Sequence, residues 1–386
     1  MNALKPFFYL IEAINCYAAV FYSNFLFFYM KEHFGFGELE NLLLAAFNGL
    51  VYAIAAWKGG AFAQRFGYTR ALYVGCIGFA CAMLAGLVLH TVSAHIVIFA
   101  AWTISVCFIY PAIEAIVCEG SGTKLPDMVG IYNIIWAAGS AISYFTAGMI
   151  LERFGMQSLF WVPLSLVALE IIILSAVLYI FRNRKIFSIA APATRFAERP
   201  IEGKRFMQMA WLANPLSYVA INTVLPLIPS ISAKMGLSTG AAGIVCSVWM
   251  FARLGAFALL WRWTGWHYRF RWLAGSMLVL LVSFTVLILA RSVPVMVVAQ
   301  LCFGLSIGLI YYSSLYYSMN ASEAMGALGG MHEAMIGAGL FLGPLCGAGA
   351  IFFLPLASNT GAWSVSGLLA AGFSALLWMG RFRLKR

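Results

Sequence analysis

Apolar residues run along this chain in long blocks, bounded by short polar turns, and the pattern recurs twelve times. The blocks fall near residues 7–30, 39–60, 71–90, 95–117, 129–151, 158–181, 206–230, 238–260, 272–290, 294–318, 328–354 and 361–380. A hydrocarbon core about 30 Å thick takes roughly 20 apolar helical residues per crossing. The pattern therefore predicts an all-α integral membrane fold of twelve transmembrane helices. Twelve crossings with short connectors need about 32 residues each, which uses up nearly all of the 386 residues. Almost nothing remains for a soluble domain.

Composition agrees with that arithmetic. Residues of the AVILMFWYC set make up 63% of the chain and charged residues only 10%, against about 25% charged in soluble domains. A soluble enzyme, a zinc module and a nucleic-acid reader are thereby disfavoured, although the formal net charge is +11. Placement explains the charge. With both termini inside, 19 of the 24 Lys and Arg residues fall in cytoplasmic segments, among them Lys58, Arg65, Arg70, Arg182, Arg205, Arg262 and Arg381. Lys31, Arg153, Lys234 and Arg291 fall in outer loops, and Arg253 lies within a span. This asymmetry is a positive-inside signal, with a secondary attraction to anionic lipid headgroups; no nucleic-acid partner is needed.

The eight cysteines lie in or at the ends of the spans, with no CxxC pair, and read as buried small hydrophobes rather than disulfides or metal ligands. The first apolar stretch runs to about residue 30 and carries Glu12, Asn15 and Asn24, so it reads as a first span and not as a cleaved leader.

Sliding the chain against itself reveals a repeat. Asn15 falls on Asn214, Phe34-Gly35-Phe36 on Met235-Gly236-Leu237, Ile109-Tyr110 on Ile310-Tyr311 and Gly139 on Gly339, all at offsets of 199 to 201 residues. The longest polar stretch, 182–205, sits where a linker between two halves belongs. The expected organisation is a six-helix bundle over 1–181, a cytoplasmic linker over 182–205 and a second six-helix bundle over 206–386. Repeats of the same orientation imply two bundles related by an axis along the membrane normal.

After the second span, Gly60-Ala-Phe-Ala-Gln64-Arg65-Phe66-Gly67-Tyr-Thr-Arg70 resembles the loop signature of the major facilitator superfamily, Gly-x-x-x-Asp-Arg-x-Gly-x-x-Arg/Lys. Gly60, Arg65, Gly67 and Arg70 match, whereas Gln64 stands where the family has an acid. The resemblance implies that this acid makes an inter-half charge contact helping to hold one access state, so Gln64 weakens that latch. A degraded copy, Arg262-Trp-Thr-Gly265-Trp-His-Tyr-Arg269, follows the eighth span. In the eleventh span, Gly339-Leu-Phe-Leu-Gly343-Pro344-Leu-Cys-Gly347 is similar to an element that antiporters of the superfamily carry in the fifth span, where this chain has Gly139-Ser-Ala-Ile-Ser143-Tyr144. Span four has no arginine, unlike drug/proton antiporters, which argues against drug efflux of that kind. Small residues four apart also let helices approach closely in lipid, and Pro344 adds a kink; packing and hinge roles are compatible.

Ionisable residues within spans normally face a cavity or a partner. Here the intramembrane acids are Glu12, Glu114, Glu170 and Glu333. Glu12 and Glu114 lie at similar depth near the cytoplasmic side, where one site can hold both. The family resemblance implies that spans one, four, seven and ten line the central cavity, which favours these two and leaves Glu170, in span six, a supporting role. Glu333 adjoins His332, a candidate proton-handling pair. Arg253 reads as snorkelling or acid-paired. Further cavity candidates are Asn15 and Tyr22 on the Glu12 stripe, Tyr110 one turn before Glu114, Asn133 and Trp136 in span five, Asn214 and Asn222 in span seven, and Gln300 and Tyr311 in span ten. Aromatic interface belts use the same residue types as binding sites, so the tyrosines carry both readings.

The leading expectation is a secondary transporter moving a small organic solute by alternating access, driven by protons, since no phosphate-binding GxxxxGK[ST] is present. No cofactor or metal is expected, and a monomer in a bacterial inner membrane is. A lipid or amphiphile flippase of the same fold stays open as an alternative. A membrane-embedded enzyme and a transport-inactive sensor are less favoured, because Asp127 and the scattered histidines form no compact catalytic set. The orientation is testable: a single cysteine near residue 195, in a cysteine-free background, should resist membrane-impermeant labelling from outside intact cells. External labelling there would overturn it.

Overall fold

The computed structural model describes residues 4–118, 125–181, 201–321 and 325–381; for residues 125–126, 201–202, 319–321 and 325–334 it describes the backbone alone. Thirteen helices follow in chain order: α1 (Lys5–Phe34), α2 (Glu38–Phe66), α3 (Tyr68–Val88), α4 (Val92–Cys118), α5 (Leu125–Phe154), α6 (Ser158–Ile180), α7 (Ile201–Lys234), α8 (Thr239–Cys246), α9 (Val248–Arg262), α10 (Phe270–Leu289), α11 (Val293–Ala321), α12 (Met325–Phe353) and α13 (Thr360–Arg381). Taken with α8 and α9 as one span, they give twelve helical segments long and apolar enough to cross a membrane. No strand occurs among the described residues. Large apolar side chains such as Ile54, Trp57, Ile172, Leu259 and Val298 point outward, as a hydrocarbon surrounding requires.

Every expected span is helical, and most run past the expected bounds at one end or both, although α3, α6, α10 and α12 stop one or two residues short at their C-terminal ends. Helix α7 already begins at Ile201, inside the stretch assigned to the linker, while residues 182–200 lie outside the described residues. The eighth span breaks at Ser247. There Met250 N–H bonds the Ser247 carbonyl at 3.0 Å, a tightened turn, and the Ser247 hydroxyl donates to the Ile244 carbonyl at 2.7 Å. The family-like motif after span two is also less of a loop than the sequence implies. Gly60, Gln64 and Arg65 belong to α2, Arg70 belongs to α3, and Gly67 alone makes the turn at φ +97°, a conformation that a side chain would strain. Its degraded counterpart, by contrast, is an irregular loop between α9 and α10, where Trp266 is buried against Tyr312, Tyr316 and Tyr317. Burial lowers the pKa of His267 in that loop, whose ring stacks on Tyr316 at 4.0 Å.

Helices α1 to α6 pack on one another through α1 against α5 and α6, and α3 against α4 and α6; α7 to α13 repeat this through α7 against α12 and α13, and α10 against α11 and α13. The internal repeat is visible in contacts. Gly139 of α5 abuts the α1 backbone at Ala13, and Gly339 of α12 abuts the α7 backbone at Pro215. The most extensive seam between the two sets is α2 against α12, followed by α5 against α8 and α9.

At the α2–α12 seam the backbones meet without intervening side chains: Gly49 faces the Leu340–Phe341 peptide, and Gly337 faces Ala53. Gly49→Val must push the helices apart, with an expected loss of roughly 1–3 kcal/mol, read as a lower midpoint of thermal unfolding in detergent. Gly60 has open space around it, so Gly60→Ala should unfold at or above the wild-type temperature.

Candidate functional site

Three carboxyl groups from distant parts of the chain converge inside the first six helices. Glu12 of α1 and Glu170 of α6 are fully buried. The Cys16 thiol, one helical turn beyond Glu12, donates to Glu12 Oε1 at 3.0 Å. Glu170 Oε2 accepts from Asn15 Nδ2 at 3.3 Å and from the Cys76 thiol of α3 at 3.7 Å. Tyr132 of α5 and Glu114 of α4 are electrostatic neighbours of Glu12, and Glu170 senses Glu12 in turn. Tyr110 of α4 faces the same set through Cys16. Glu12 Oε2 and Glu170 Oε1 lack a hydrogen-bond partner among the described residues. Among the described residues no basic group lies at either carboxyl.

This arrangement brings together Glu12, Asn15, Tyr110 and Glu114, as the helical spacing suggests. It also draws in three residues that sequence reading places elsewhere. Glu170 is not a peripheral support but a partner of Asn15. Cys16 and Cys76, read as inert hydrophobes, use their thiols as donors. Cys16 was detectable as the residue one turn beyond Glu12; Tyr132 and Cys76 left no sequence signal.

Other candidates lie elsewhere. Tyr22 packs in an aromatic core with Phe99, Trp102 and Phe160. Asn133 and Asn222 donate to carbonyls one turn back, Val129 at 2.9 Å and Tyr218 at 3.2 Å. Asn214 is buried beside Pro215 on α7. Gln300 is buried, with neither amide atom partnered among the described residues. Gln64 and Arg70 are exposed without a described partner, and Arg65 rests over the Phe66 ring at 5.2 Å. Gly343, next to Pro344, packs on the α7 backbone at Val219. The side chains of His332 and Glu333 lie outside the described residues.

A second polar feature sits between the two helix sets. Arg253 of α9 is 2% exposed. Neither snorkelling nor paired with a described acid, it lies 4.6 Å from the Trp136 ring of α5, 4.8 Å from Tyr311 of α11 and 5.2 Å from Phe257. Trp136 and Tyr311 stack at 6.4 Å across the seam between the sets.

The remaining cross-seam polar contacts concentrate, among the described residues, at the end away from the termini. Lys31 Nζ donates to the Pro229 carbonyl at 2.9 Å, and Lys234 pairs with Glu38 at 2.7 Å. Glu152 Oε1 accepts from the Gly240 N–H at 2.7 Å. Asn41 Nδ2 bridges the Phe27 and Pro226 carbonyls, both at 3.4 Å. At the opposite end, Trp261 Nε1 donates to Asp127 at 3.3 Å.

Twelve apolar spans in two repeated sets, with ionisable groups buried among them, define a multi-pass membrane transporter. The sequence matches the model of the Major Facilitator Superfamily over residues 8–344, and the chain belongs to that family. Solved structures share the fold at low identity. The POT family transporter PepTSo aligns with a TM-score of 0.80 and 11% identity, covering 100% of this chain and 99% of that one. The nucleoside transporter NupG gives 0.73 and 12%, covering 98% and 99%. The human organic anion transporter MFSD10 gives 0.68 and 13%, covering 97% and 98%. No curated protein sequence matches the chain. Membership of the Major Facilitator Superfamily indicates a transporter.

The Asn15–Glu170 bond fixes α1 to α6. Asn15→Ala should leave the Glu170 carboxyl with the weak Cys76 donor and lose about 1–3 kcal/mol. Glu170→Gln keeps an oxygen acceptor and should lose less. Thermal unfolding of the two purified variants checks the order.

Proposed function

We propose that the chain is a secondary active transporter that carries a small organic solute by alternating access and is driven by protons, with Glu12 as the proton-binding group. The observation that carries this reading is the Glu12–Glu114–Glu170 cluster. Two of its carboxyls are fully buried and have no ionic partner among the described residues. A carboxyl changes its charge by taking up or losing a proton, so loading and release of a proton can alternate with a change in access. The solved neighbours named for peptide-family, nucleoside and organic anion transport are all carriers of organic solutes, which supports a cargo of that size. The two halves 1–181 and 206–386 act as the rocking bodies, joined by the 182–205 linker, with both termini and the linker on the cytoplasmic side of a bacterial inner membrane and the protein acting as a monomer. In that orientation the cross-seam contacts of Lys31, Glu38, Glu152 and Lys234 close the outer end, and the arrangement is inward-facing.

A thermal-stabilisation screen of metabolites on the purified protein supplies the cargo. In proteoliposomes under a proton gradient, Glu12→Gln should abolish accumulation while sparing counterflow exchange. Glu114→Gln and Glu333→Gln are measured beside it. Wild-type accumulation by Glu12→Gln would overturn the assignment of the proton to Glu12, and wild-type accumulation by all three would overturn proton coupling through these acids.

A further inference from the structure

The Arg253 guanidinium is a charge that nothing described neutralises. It is 2% exposed, and its Nε and Nη2 groups have no hydrogen-bond partner among the described residues. Three aromatic rings hold it within 4.6 to 5.2 Å. Cation–π attraction of this kind strengthens when desolvated, but it acts through ring faces and leaves N–H donors unsatisfied. An uncompensated buried cation is strongly unfavourable, and donors without acceptors add to that. In a membrane carrier, such a residue faces a cavity or awaits a partner.

The position of the cage says which partner. Trp136 comes from the first helix set, while Arg253, Phe257 and Tyr311 come from the second, so the guanidinium sits on the seam that alternating access must open and close. Trp136 and Tyr311 are half-buried, as is Tyr218 of α7, whose ring meets Tyr311 at 6.5 Å; the cage therefore keeps one accessible side. A guanidinium presents a planar fork of donors that matches the two oxygens of a carboxylate or the oxygens of a sulfonate or phosphonate. The neighbouring rings supply apolar contact for the body of the molecule.

We infer that Arg253 binds the anionic group of the cargo, and that the cargo is therefore a small organic anion held in the Trp136–Arg253–Tyr311 cage. This deepens the transporter reading and rests on it for the word cargo; the binding site itself is measurable without transport. Because the acids that would bind a proton lie on α1, α4 and α6 and the anion site on α5, α9 and α11, the two can be separated by mutation.

The test uses the full chain purified in detergent and thermal unfolding at constant ionic strength and pH. Probes are benzoate, phthalate, benzenesulfonate and phenylphosphonate, each beside its neutral amide or alcohol counterpart. At least one anion should raise the unfolding temperature saturably while its neutral counterpart does not. Arg253→Gln should weaken that anion tenfold or more. Arg253→Lys, which keeps the charge and loses the fork, should weaken it at least threefold and stands in if Arg253→Gln does not fold. Arg291→Gln, which removes an exposed loop charge far from the cage, should keep wild-type anion affinity; binding is read without a proton gradient, so a failure of proton coupling leaves this result intact. The inference is overturned if no anion outperforms its neutral counterpart, or if the foldable Arg253 variants bind the anion as tightly as the wild type.

Discussion

Within a hydrocarbon core no water is available to a polar group, so each one must find its partner inside the protein or remain costly. That constraint organises this molecule. Backbone groups are satisfied within the helices, and small polar side chains mostly fold back on their own helix: Thr103 bonds the Phe99 carbonyl, Ser105 the Ala101 carbonyl and Thr223 the Val219 carbonyl, at 2.7 to 2.8 Å. Such residues add little beyond local helix geometry. The carboxyls of Glu12 and Glu170 and the guanidinium of Arg253 keep atoms without a described partner, as do the Gln300 amide and both His95 ring nitrogens; of these, the three acid and guanidinium groups are the ones the proposed function uses.

The same constraint decides what the sequence reveals. Twelve spans are legible because the need for about twenty apolar residues is local and repeats. The repeat is legible because equivalent glycines meet equivalent backbone, Gly139 on α1 and Gly339 on α7. Helix ends are less so, since hydropathy falls before the hydrogen-bonded helix stops, as between residue 60 and Phe66 in α2. Partnership over long sequence separation is not legible at all. Asn15 and Glu170 are 155 residues apart, and no spacing rule links them. Arg253 shows the limit from the other direction. A lone arginine near a span end suggests snorkelling, and only the convergence of rings from α5, α9 and α11 shows that it stays inside.

Closure at one end of the molecule has a counterpart in the motif that departs from its family. The described cross-seam bonds away from the termini involve lysines, carboxylates and backbone carbonyls. The part-buried Lys31 and Glu152 bonds gain from their charge, while the exposed Lys234–Glu38 pair adds at most about 1 kcal/mol. At the other end, Gln64 has replaced the acid of the family signature and lies exposed, with no described partner. The stronger set of contacts and the weakened one thus lie at opposite ends and favour the same arrangement of the halves.

Pseudo-symmetry and charge together give the last constraint. Tyr110 and Tyr311 occupy equivalent places in the repeat, yet the first stands over carboxyls and the second over a guanidinium. Equivalent tyrosines of the two halves thus stand beside opposite charges. Were Glu12 and Arg253 in contact, they would form an internal ion pair that locks the halves and leaves neither group able to exchange its partner. Held in separate frames, each keeps an open valence. A carboxyl changes its charge by binding a proton, and a guanidinium, which stays charged at any physiological pH, does so only by meeting an anion. On the proposed reading, two such groups beside one seam between the halves would be coupled through its movement rather than through each other.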